Sequence, residues 1–154
     1  MRIIRSVLTL VMALVAFGGI TAVSALPAQA STAAISCSGS VTDRFAHPSG
    51  LGELVIYYNS TNGGTNSACF YHRGAAAGVA APTYVIIHRC AETSGEGGPC
   101  TIRATGGPDS GNFSSYAGPV GVTGTANYCV AAYGHIDWRG TRYALNSGRQ
   151  GCPN

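Results

Sequence analysis

The chain has 154 residues, with nine arginines, no lysine and six acids, a formal net charge of +3, and only 10% charged residues. Charge this sparse, with no run of one sign, excludes the clustered cationic footprint of a nucleic-acid-binding protein. Twenty-two glycines between short apolar runs, with no sustained 3.6-residue period, exclude a helical bundle.

In chain order, Arg2 and Arg5 precede an apolar run from Val7 to Ile20, and the segment closes on Leu26-Pro27-Ala28-Gln29-Ala30. A charged n-region, an h-region and an A-x-A site together read as a secretory signal peptide over residues 1–30. The run of about 14 apolar residues is too short for the roughly 20 that span a bilayer. Cleavage after Ala30 is expected to release residues 31–154 as a single secreted domain with no membrane attachment. Seven arginines and six acids then remain, a net charge of +1.

The released part alternates β-branched and aromatic runs with glycine-rich turns. Strands are predicted over about Ser38–Phe45, Leu54–Tyr58, Ser67–Arg73, Tyr84–Cys90, Cys100–Ala104, Tyr116–Thr123, Tyr128–His135 and Thr141–Leu145. Asn62-Gly63-Gly64 supplies the positive-φ positions of a hairpin after Tyr58. Ala75–Ala81 is the one helical candidate, cut short by Gly74, Gly78 and Pro82. Short strands at this spacing predict one all-β domain, a single small disulfide-bonded β-sandwich or Greek-key-like barrel.

Cys37, Cys69, Cys90, Cys100, Cys129 and Cys152 all follow the signal segment. An even number of cysteines in an exported domain reads as a disulfide framework, and their spacing does not fit a zinc site. The turn-rich Ser94–Pro99 stretch suggests a Cys90–Cys100 bridge. Cys37 and Cys152 lie near the two ends of the released chain and are expected to staple them, which leaves Cys69 for Cys129.

Gly107-Pro108-Asp109-Ser110-Gly111 superficially resembles the run around a serine-protease nucleophile, with His88 upstream. No aspartate completes a triad, the chain is too short for two barrels, and Pro-Asp-Ser-Gly reads as a turn. His47, His72, His88 and His135 invite a metal or acid-base role, and His135 and Asp137 would share one strand face. His72-Arg73 and His88-Arg89 read more simply as strand ends leaving the core. No catalytic residue, metal or cofactor is therefore expected. The candidate binding residues are aromatic: Tyr57 and Tyr58, adjacent and so on opposite faces of one strand, and Trp138 beside Arg139.

Tyr116-Ala117-Gly118-Pro119-Val120-Gly121-Val122, with Cys129 and Gly134 after it, resembles the actinobacterial spore-associated protein A family. Upstream, Val55–Gly63, Asn66–Cys69, Cys90, Cys100 and Asp109–Phe113 are also similar, so the resemblance covers about residues 50–140. The chain carries Ser115-Tyr116 where a tyrosine pair is expected, which makes it a relative. The resemblance implies a small secreted protein at the spore or aerial-hypha surface; the expected partners are spore or cell-wall surface components, and a monomer is expected. It supplies no catalytic residues. The alternative is a secreted binding module or inhibitor recognising a glycan or an exported protease; a small extracellular enzyme built on His135 and Asp137 ranks third. Physically, Gly118-Pro119 is expected to bend an edge strand so that Tyr116 and the following valines reach the core.

Overall fold

The computed structural model describes residues 35–153, so the expected signal peptide lies outside the described residues. Eight strands form: β1 Ser40–Ala46, β2 Gly52–Asn59, β3 Thr65–His72, β4 Ala81–Cys90, β5 Ile102–Phe113, β6 Tyr116–Thr123, β7 Val130–Trp138 and β8 Thr141–Gln150. They make two antiparallel four-stranded sheets, ordered β1-β2-β3-β6 and β5-β4-β7-β8. The expected disulfide-bonded β-sandwich is thus what the chain adopts. β3 pairs with β6 in one sheet while β4 pairs with β7 in the other, an interlocked Greek-key crossing.

Period-two alternation explains the core. Leu54, Ile56, Ala68 and Phe70 point inward from the first sheet and meet Val85, Ile87, Val130, Ala132 and Ile136 of the second. Phe70 sits between two glycines: a Cβ on Gly52 or on Gly134 would approach its ring to 2.5 Å. The helical candidate, whose last residue Ala81 already begins β4, reduces to a single 3-10 turn, Gly74–Ala76, in which Ala76 is buried. Beside it His72 is 2% exposed. Its Nδ1–H reaches the carbonyls of Ala76 and Val79, and its Nε2 lies 2.7 Å from the Thr83 hydroxyl. This histidine is a buried tie between the sheets and not the solvent exit that its position before Arg73 suggested.

β5 runs far beyond the expected Ala104, through the segment that reads as a turn. Gly106 allows this: it is buried, and a Cβ there would overlap the Gly121 carbonyl of β6. Pro108 is accommodated at a register shift between Val85 and Ile87 on β4, where the ladder is already interrupted. β6 carries a matching irregularity. Gly118, at φ +105°, and Pro119 stand where the register shifts between Ala68 and Phe70, and Pro119 is exposed on an edge strand. Ala117, Val120 and Val122 enter the core as the bend requires. Tyr116 does not: it is 40% exposed and tilts against Tyr71, with ring centroids 5.4 Å apart.

The disulfides are Cys37–Cys69, Cys90–Cys100 and Cys129–Cys152. The hairpin bridge is as expected, and the pairs 37–152 and 69–129 are corrected. Cys129 precedes β7 and Cys152 follows β8, and antiparallel pairing of Val130 with Gln150 makes them neighbours. Cys69 lies on the outward face of β3 with Val55, Tyr57 and Tyr71, and Cys37 packs against that cluster. The Tyr71 hydroxyl donates to the Cys37 carbonyl and fixes the segment there.

Peptide mapping without reduction is expected to recover these three pairs and no peptide linking Cys69 to Cys129. Gly118→Val should cost about 3 kcal/mol in urea unfolding, combining a β-branched residue at positive φ with an overpacked contact. A Cβ there would meet the Ala68 carbonyl oxygen at 2.8 Å. Gly140→Ala, also at positive φ but with nothing within 4 Å, should cost only about 1 kcal/mol. Equal costs for the two would refute the packing account.

Candidate binding face

The outward face of the second sheet gathers most of the unexplained aromatic and titratable side chains. With Val85 and Ile87 turned inward, Tyr84, Ile86 and His88 of β4 face out. With Ala132, Gly134 and Ile136 buried, Tyr133, His135 and Asp137 of β7 do the same. Pairing sets Tyr84 opposite His135 and Ile86 opposite Tyr133. The Tyr84 and His135 rings stack at 5.2 Å, 11° from parallel, and Tyr133 lies 6.1 Å from Tyr84 and 5.8 Å from His135.

Next to this cluster a groove of about 570 Å³ opens between the sheet and the Gly97–Ile102 segment, lined among others by His88, Pro99, Ile102, Tyr133 and Asn146. Its wall is firmly held. The Gly97 N–H donates to the Arg149 carbonyl at 2.7 Å, and the Arg149 N–H donates to the Gly98 carbonyl at 2.9 Å. Gly98 lies against the Arg149 guanidinium so closely that a side chain there would collide with it. Cys90–Cys100 and Cys129–Cys152 pack together at the same end, and the Cys90 N–H donates to the Cys129 carbonyl.

His135 and Asp137 share the expected face without forming a catalytic pair. Both Asp137 carboxylate oxygens accept from Arg142, at 2.7 and 2.9 Å, and this partner holds the carboxyl below its ordinary range. Among the described residues, the buried Nδ1 of His135 has no hydrogen-bond partner. Burial first, and then the positive charge of Arg142, lower the His135 pKa. Burial also lowers that of His88, whose Nδ1 lies 2.9 Å from the Thr105 hydroxyl. Ser110, the residue of the protease-like run, pairs with Tyr84 across β5 and β4 and is exposed.

Tyr57, Tyr58 and Trp138 are not brought together. Tyr57 is 7% exposed on the first sheet, its hydroxyl 2.7 Å from that of Tyr71. Tyr58 is half-buried near the end of β2. Trp138 packs against the main core at the opposite end of β7 from the groove, with the Arg139 guanidinium 5.5 Å from its ring centroid. Tyr84, Tyr133 and Asn146 were missed. The signal was present in the alternations Tyr84-x-Ile86-x-His88 and Tyr133-x-His135-x-Asp137, but strand partners had to be known before they could be placed side by side.

Among the described residues, Cys90, Glu92 and Cys100 are the one set of metal-ligand types lying close together. Its two sulfurs are joined in a disulfide. The Glu92 carboxylate accepts from the Thr101 N–H at 3.0 and 3.2 Å, so the set is a structural clasp. Comparison with protein-family models, with curated proteins and with solved structures finds no match for this chain.

The lowered histidines make a signed prediction. A histidine whose folded pKa lies below its unfolded value near 6.5 favours the folded state most at high pH and withdraws that support as pH falls through the unfolded and then the folded value. The thermal midpoint is expected to drop between about pH 7 and 5, before most carboxylates titrate. The double variant His88→Gln, His135→Gln should flatten that drop. An unchanged slope would show that these two residues do not carry it.

Proposed function

We propose that the chain is a small exported, non-catalytic protein that acts by binding at a spore or cell surface. The observation that carries this reading is the outward face of the second sheet, where an aromatic cluster lies beside a groove whose wall is held by two disulfides and backbone hydrogen bonds. A site held this firmly loses little conformational freedom on engaging a partner. Asp137 is taken up by Arg142, leaving His135 without an acidic orienter of the kind a general base needs. The signal-peptide pattern of residues 1–30 and the three disulfides support export. The resemblance of the Tyr116–Val122 region to the spore-associated protein A family supports the surface assignment.

A soluble binding module or inhibitor is the neighbouring reading, favoured by the same groove. The two differ in where the partner resides. Quantitative peptide mapping of culture medium, washed vegetative wall, and a detergent-plus-reductant extract of washed spores separates them. Enrichment in the wall or spore fraction is expected. Recovery from the medium alone would overturn surface association and turn attention to a soluble glycan or exported protease.

A further inference from the structure

We propose that the groove between the Gly97–Ile102 segment and the outward face of β7 and β8 is a subsite for a neutral sugar ring, one unit of a polysaccharide chain. The proposal rests on the binding reading above and adds the chemical class of the ligand. The volume, about 570 Å³, is that of a small-molecule site.

The lining selects the class. It contains no carboxylate and no guanidinium, and its only ionisable side chains are His88 and Tyr133. Burial keeps His88 in its neutral form to lower pH than usual. No lining side chain presents a formal charge to an ionic ligand, and the Arg149 guanidinium lies behind the Gly98 backbone. A wholly apolar ligand is equally ill-suited, because it would leave polar groups unpaired. Asn146 uses its Oδ1 to accept from the Gly148 N–H, and His88 uses its Nδ1 toward Thr105, which leaves the Asn146 amide nitrogen and the His88 Nε2 for a ligand. The Tyr133 hydroxyl forms no hydrogen bond among the described residues.

Against these polar groups stand the Tyr133 ring, Pro99 and the exposed Ile102. A pyranose matches both halves: a C–H face to lie on a ring and a rim of hydroxyls that both donate and accept. An extended peptide would instead seek the free backbone groups of a sheet edge, whereas this groove lies on a sheet face.

Calorimetric titration of the oxidised, exported protein tests the assignment. The probes are the β-1,4-linked hexamers of glucose and of N-acetylglucosamine, with a sulfated oligosaccharide as the charged comparison. At least one neutral hexamer is expected to bind, and more tightly than the sulfated probe. Tyr133→Ala and Ile102→Arg should each weaken that binding at least tenfold, and Tyr116→Ala, at an exposed position on the other sheet, should leave it unchanged. Ile102 is 55% exposed, so its replacement leaves the core intact even where Tyr133→Ala loosens the sheet face. Failure of both neutral hexamers to bind, preference for the sulfated probe, or binding that survives Ile102→Arg would each overturn the proposal. The cell fractions judge the surface reading separately. A protein found on walls or spores that ignores both hexamers would refute the sugar assignment alone, and one that binds a hexamer through this groove yet stays in the medium would support it while refuting surface association.

Discussion

The sandwich depends on the seam where β5 of one sheet meets β6 of the other. Gly106 lets the two backbones approach to a distance at which no side chain fits: a Cβ there would overlap the Gly121 carbonyl oxygen. Within the same seam the Gly118 N–H donates to the Asp109 carboxylate at 2.6 Å, so a charged acceptor links the two Gly-Pro irregularities. Gly107, at φ +95°, lies against Val120, and Gly118 lies against Cys69. Proline removes a ladder donor at each position, and both positions are register shifts where no regular ladder bond is lost. The seam turns Ala117, Val120 and Val122 toward Phe70 and closes one side of the core.

Two disulfides join strand ends, and the third ties the segment before β1 to the middle of β3. In a chain-entropy account, closing loops of the observed separations, 10, 23 and 32 residues, stabilises the fold by about 3 to 4 kcal/mol each. Two of them lie at one end, where β4, β5, β7 and β8 begin or finish, and there they frame the groove. The third holds the segment before β1 against the outward face of the first sheet, over Tyr57 and Tyr71. One sheet face is thereby partly covered by the segment before β1, and the proposed binding face lies on the other sheet.

Electrostatics on that open face leaves its charged groups paired or desolvated. Asp137 is neutralised by Arg142, His135 is desolvated against Tyr84, and the groove beside them is lined by groups that can hydrogen-bond without carrying charge. Such a surface can select a partner by shape and hydrogen bonding with little penalty for desolvating ions.

Much of this architecture was legible before any coordinates. Runs of β-branched and aromatic residues between glycine-rich turns located all eight strands, though not the full reach of β5, because such side chains suit a pleated backbone and glycine suits the turns. The turn composition of Ser94–Pro99 identified the Cys90–Cys100 bridge, because a hairpin keeps its own ends together. Less legible was anything that depends on which strands lie side by side. The Gly107–Gly111 stretch looked like a turn because the glycine that permits a close sheet contact is the same residue that permits a tight turn. His72 looked like a strand end because its partner Thr83 and the Ala76 and Val79 carbonyls follow it in sequence but surround it only once the chain has crossed between sheets. The sequence by itself determined that this is a cysteine-bridged all-β domain, since strand pattern and cysteine number are local properties. Tertiary structure alone decided that Cys37 meets Cys69, that Cys129 meets Cys152, and that Tyr84, Tyr133, His135 and Asn146 share a face. Those neighbours come from three strands whose order and register are set by the packing of the whole core, and no local stretch of sequence encodes that.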